Sequence, residues 1–137
     1  MRRLGRGTAG AVVLVLLALT AGARPPEITP RELAARLASD DPPLVLDVRS
    51  DAEWRAGHIP GAIHIPFSDF ARRRAEVPMN RDVVVHCAIA PRARKSEKML
   101  ISIGHQRVIH LTGGFLAWQD DGLEIVYEAA EESPKTP

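Results

Sequence analysis

Aromatic side chains are scarce, with three Phe, two Trp and one Tyr in 137 residues. A core built on stacked rings is therefore excluded, and Leu, Ile, Val and Ala must supply it. There is a single cysteine, Cys87, so no internal disulfide can form. The formal net charge is only +1, which gives no basic excess to attract nucleic acid. His58, His64, His86, His105 and His110 show no metal-ligand spacing. There are no internal repeats. The one long uncharged run, Gly7 to Ala23, is shorter than the roughly 20 residues a membrane-spanning helix usually needs.

That run has another use. Arg2, Arg3 and Arg6 precede it, and Ala21-Gly22-Ala23 closes it with small residues. The pattern is that of a secretory signal peptide over residues 1–23, cleaved after Ala23, which places the mature protein in the periplasm or outside the cell. The alternative is a retained leader that anchors the chain to the membrane. No cysteine stands directly after the run to accept a lipid. Removing the leader leaves 15 basic and 17 acidic residues, a net charge of −2. At the other end "EAAEESPKTP" is polar and proline-containing, and residues 127–137 are expected to be a disordered tail. One domain of about 100 residues, 27–126, remains between them.

Within it, "EITPRELAARLAS" combines the N-cap Thr29, Pro30 at the first helical position and Glu32 to complete a capping box. "PLVLDV" (43–48) is a continuous apolar run, as in a strand buried on both faces. Ser50 and Glu53 repeat the capping box, so a short helix should carry Trp54. "AIHI" reads as a brief strand and "FSDFARRRAE" as a helix. "DVVVHCA" (82–88) is a second buried strand. Ala93, Ser96, Leu100 and Ile103 then share one helical face that Gly104 ends. "QRVIHLT" is a further strand, and "GGFLAWQDDG" a turn, short helix and stop. Strands alternating with helices predict an α/β fold with a largely parallel sheet.

Cys87 falls where a buried strand ends and a helix begins, the edge at which open parallel sheets bind ligands. Amides at a helix start lack intrahelical partners and the dipole is positive there, which stabilises a thiolate. Arg92, five positions on, can take an anionic group on its guanidinium fork. A cysteine phosphatase would need C-x5-R, but position 93 is Ala and Arg92 arrives one residue early. The tighter loop suits a sulfur atom better than a phosphate.

At this point the chain resembles the rhodanese family of sulfurtransferases over about Glu27 to Val126. "LVLDVRSDAEWRAGHIPGAIHIP" is similar to the family's first signature, "VVVHCAIAPR" to its active-site strand and loop, and "LTGGFLAW" to its third block. The resemblance implies a mostly parallel sheet of about five strands with helices on both faces. It also implies catalysis by Cys87, whose thiolate would take the outer sulfur of thiosulfate or a similar donor. The resulting persulfide would pass that sulfur to cyanide or a thiol acceptor such as a periplasmic thiol protein, with no metal or organic cofactor needed. Substrate would be held by Ala88, Ile89, Ala90 and Arg92, with Asp47 and Arg49 supporting the loop from behind. His58 belongs to a family turn and is expected to be scaffold, and Trp54 and Trp118 to be core. Where the family often reads C-x-x-G-x-R-S, this chain has Ala90 and Ala93, and Pro91 brings no N–H. If position 90 needed φ > 0, its Cβ would strain the loop. Two other readings stand beside the enzyme: a rhodanese-like module that carries sulfur, senses it or docks a partner without useful turnover, and a phosphatase or arsenate reductase.

Overall fold

The computed structural model describes residues 23–128. Of the leader expected over residues 1–23 and the tail expected over residues 127–137, residues 1–22 and 129–137 lie outside them. Five strands, β1 (Glu27–Ile28), β2 (Leu44–Asp47), β3 (Ile63–His64), β4 (Val83–His86) and β5 (Val108–Leu111), form one sheet. Its order is β1-β5-β4-β2-β3 and every pairing is parallel. Between the strands run α1 (Pro30–Leu37), α2 (Asp51–Arg55), α3 (Phe67–Arg73), α4 (Pro91–Ser102) and α5 (Gly114–Asp120), with a 3-10 turn at Arg74–Glu76 after α3.

The apolar runs explain the layering. Alternate residues of a strand face opposite sides of the sheet, so a strand buried on both faces must be apolar throughout. Leu46, Val83 and Val85 accordingly pack with Phe70 and Leu100 on one face. Val45 and Val84 pack with Leu33, Phe115 and Trp118 on the other. The α3 and α4 side chains cover the first face and those of α1 and α5 the second. The middle strand, β4, is buried at all four positions.

Local sequence sets the helix ends as expected. Thr29 and Glu32 close a reciprocal capping box on α1, and Ser50 and Glu53 do the same on α2. After α4, the amide of His105 bonds to Leu100 O at 3.1 Å and that of Gly104 to Ile101 O at 3.0 Å. This is the double closure that a left-handed glycine permits, and Gly104 has φ +96°. The two-residue β1 has no sequence signal of its own. It exists because Pro26 O, Ile28 O and the edge of β5 find each other, through His110 N at 2.8 Å and Thr112 N at 2.9 Å.

Two α4 positions test this layering. Replacing fully buried Leu100 with Ala should lower unfolding free energy by about 2–5 kcal/mol. The same change at exposed Ile101 should leave it within about 0.5 kcal/mol. Urea unfolding curves of the two variants give both numbers; similar losses would mean that α4 presents a different face.

Candidate active site

The sheet brings the carboxyl end of its central strand to the loop Cys87–Ala90, which runs directly into α4. Cys87 is 1% exposed and packs among core residues, whereas Ile89 is 57% exposed. The loop therefore climbs from core to surface within two residues. Its conformation is set by α5. Phe115 N donates to Cys87 O at 2.9 Å and Leu116 N to Ala88 O at 3.1 Å. Those two amides belong to the first turn of α5, where a helix has no internal acceptor to offer them.

A trans peptide points its carbonyl and the next N–H in opposite directions, and no cis peptide occurs among the described residues. Turning the Cys87, Ala88 and Ile89 carbonyls toward α5 thus turns the amides of Ala88, Ile89 and Ala90 away from it. Among the described residues none of these three amides has a protein acceptor. They are three donors in sequence beside a cysteine, an arrangement suited to an anion. Gly114 makes the close approach possible. It has φ +61°, and a Cβ there would lie 2.6 to 2.7 Å from the carbonyl oxygens of Ala88, Cys87 and Ile89.

Ala90 has φ −156°, so the left-handed strain considered for an alanine in place of glycine does not arise. Pro91 does open α4 without an N–H, and Ala93 is fully buried in the core. Arg92, on the first turn of α4, forks onto Glu53 of α2, with Nη1 to Oε1 at 2.8 Å and Nη2 to Oε2 at 3.0 Å. Hydrogen bonding from Arg92 is the main reason that the Glu53 carboxyl is lowered to about 2, with Ser50 adding to it. Arg92 in turn is held further above its ordinary value, first by Glu53 and in smaller part by Cys87.

Behind the loop lies a buried charge cluster. Arg49 Nη2 meets Asp47 Oδ2 at 2.6 Å and Nε meets Oδ1 at 3.0 Å, both side chains being nearly inaccessible. The same Nη2 donates to Gly57 O at 2.8 Å, and the guanidinium lies 3.8 Å over the Phe115 ring. His86 is fully buried, and desolvation lowers its pKa, keeping the ring neutral. Its Nδ1 is 3.1 Å from Cys87 O, and since a carbonyl only accepts, that nitrogen carries the proton. Cys87 O is thereby held by two donors. Among the described residues His86 Nε2 has no hydrogen-bond partner, and it lies 3.6 Å from Asp47 Oδ2.

The structure thus brings Cys87, Ala88, Ile89, Ala90 and Arg92 to one loop, with Asp47 and Arg49 beside it. Sequence reasoning missed three residues. Glu53 had a visible capping role that hid its reach to Arg92, and Gly114 and His86 act through backbone atoms of the loop. Trp118 is core, but Trp54 is only half-buried. Its ring stacks 3.5 Å from that of His58, which also bonds to Trp54 O. Its Nε1 donates to Glu128 at 2.8 Å. Arg94 is tied to Glu27 and to buried Glu97, which also holds His110. A groove of about 660 Å³ lined by Leu37, Pro43, Trp118 and Leu123 contains none of the loop residues. No helix among the described residues is long and apolar enough to cross a membrane.

Residues 29–121 match the Rhodanese-like domain family. A sulfurtransferase of Allochromatium vinosum is 38% identical over 100 residues, 73% of this chain and 94% of that protein. A putative sulfur carrier protein of Bacillus subtilis, YrkF, is 29% identical over 93 residues, 68% of this chain and 50% of that one. The solved rhodanese-like domain of an Anabaena protein has a TM-score of 0.68 at 28% identity, covering 83% of this chain and 88% of that chain.

Two outcomes follow from the geometry. Gly114→Ala should destabilise the protein by about 1–3 kcal/mol in urea unfolding, through steric and backbone strain. The ¹H–¹⁵N spectrum of the folded variant should also show the amides of 88–90 shifted; an unchanged loop would mean that the carbonyls do not depend on this contact. Because the folded Glu53 carboxyl is lowered from 4.5 to about 2, its stabilising contribution is full above pH 4.5 and fades as pH falls toward 2. Melting curves of wild type and Glu53→Gln should therefore converge on acidification and stay apart at neutral pH.

Proposed function

This chain belongs to the rhodanese-like domain family, and on that premise we propose that it moves sulfane sulfur from thiosulfate or a similar donor to cyanide or a thiol acceptor through a persulfide on Cys87. The observation that carries the reading is the row of unpartnered amides of Ala88, Ile89 and Ala90 following that cysteine. The Cys87 thiolate attacks the outer sulfur of the donor and the S–S bond breaks. From thiosulfate, sulfite leaves with the bonding pair. The product is Cys87–S–S⁻, whose terminal charge the loop amides receive as they would any localised anion. Cyanide or a thiolate then attacks the terminal sulfur and Cys87 leaves as the thiolate. With cyanide the product is thiocyanate; with a thiolate it is the acceptor's persulfide. Net oxidation state is unchanged, so no outside oxidant or reductant is needed. The depth of Cys87 suits a donor that presents one sulfur end-on.

The second reading, a sulfur carrier or sensor without rapid turnover, is favoured by one feature. Arg92 is paired with Glu53 and Pro91 contributes no donor, so the loop offers fewer groups to a leaving sulfite. Export rests on the sequence of residues 1–23 alone, and under it the acceptor is a periplasmic thiol protein.

Intact mass separates these readings. Wild-type protein treated with thiosulfate should gain one sulfur atom, lose it on addition of cyanide, and Cys87→Ser should gain none. Loading followed by slow release would favour the carrier. Absence of any sulfur gain with both thiosulfate and polysulfide would overturn the proposal.

A further inference from the structure

The pairing of Arg92 bears on which donor the site accepts. Both terminal nitrogens of its guanidinium face the two carboxylate oxygens of Glu53 in a complete fork. Glu53 is itself anchored. Its Oε1 accepts from Ser50 Oγ at 3.0 Å and from Ser50 N at 3.3 Å, which holds the carboxylate where α2 begins. The other guanidinium groups around the site are bound in the same way, Arg49 to Asp47 and Arg94 to Glu27 and Glu97. The loop itself reads Ala88, Ile89, Ala90, Pro91 and brings no charge. Its rim is apolar, with exposed Ile89 on the loop and exposed Leu116 on α5, whose amide holds Ala88 O.

A dianion such as thiosulfate must shed much of its hydration to reach a deep sulfur, and that loss is compensated only by an opposite charge or several donors. Here the nearest cation already has its counter-ion. Resting on the sulfur-transfer reading, we propose that Glu53 is a specificity-determining residue: by occupying Arg92 it turns the site away from dianionic thiosulfate and toward singly charged sulfane donors that carry an apolar group. Organic persulfides and thiosulfonates are the chemical class this describes. Their single negative charge is matched by the three loop amides, and their organic part lies against Ile89 and Leu116.

The test compares two donors that differ in charge, thiosulfate and benzenethiosulfonate, by the ratio of their kcat/KM values with cyanide as acceptor. Gln at position 53 keeps a side-chain acceptor for the α2 cap, and thermal melting checks that Glu53→Gln is folded. Its ratio should move toward thiosulfate by about five-fold, the size of a partly exposed charge interaction. In an Arg92→Gln background the same substitution should move the ratio little, because the cation it liberates is gone. An unmoved ratio in Glu53→Gln, or an equal shift with and without Arg92, would overturn the inference while leaving sulfur transfer intact. Failure of both donors to load Cys87 in the wild type would remove the sulfur-transfer reading and this inference with it.

Discussion

Three carbonyl oxygens, those of Cys87, Ala88 and Ile89, converge on Gly114. The rest of the site depends on that contact. The first turn of α5 holds two of them through the amides of Phe115 and Leu116. Peptide planarity then commits the following amides to the other side. A helix start that lacks acceptors and a loop that must hide its carbonyls satisfy each other. What remains is a row of donors with no acceptor among the described residues, placed after the only cysteine. A side chain at position 114 would prevent the approach, so a glycine 27 residues downstream of Cys87 governs which way the cysteine loop faces.

Phe115 extends this arrangement into the core. Its amide holds Cys87 O, while its ring lies under the Arg49 guanidinium and 6.2 Å from the His86 ring. Arg49 is closed by Asp47, and a buried pair of this kind is destabilising when only one partner is removed. Asp47 and His86 are registered opposite each other at the ends of β2 and β4. The two strand ends, the charged pair and the first turn of α5 therefore hold the loop as one unit. Glu53 joins α2 to it as well. The same carboxylate caps α2 and binds Arg92, so a local helix signal also sets the electrostatics beside Cys87.

Much of the architecture was legible because it rests on local chemistry. The capping boxes at Thr29 and Ser50, the apolar runs of β2 and β4, and the stop at Gly104 each act within a few residues, and each stands where the pattern predicts. β1 was not legible: two residues carry no period, and its hydrogen bonds come from β5 some 80 positions away. For the site, the cysteine and Arg92 were readable from spacing, and Asp47 and Arg49 from the resemblance. The pairing of Arg92 with Glu53 was not, since it crosses 39 positions and Glu53 already had a local explanation. Nor was the conformation of Ala90. Whether a position needs φ > 0 depends on the carbonyls of its neighbours, and here α5 sets those.

The central claim is that the amides of Ala88, Ile89 and Ala90 receive the charge of a sulfur carried on Cys87. The most direct measurement is the ¹H–¹⁵N spectrum of the protein before and after sulfur loading, with cyanide added last. The account predicts downfield amide proton shifts concentrated at residues 88–90, reversed when cyanide removes the sulfur. A fully loaded protein in which those three amides stay unmoved would contradict it.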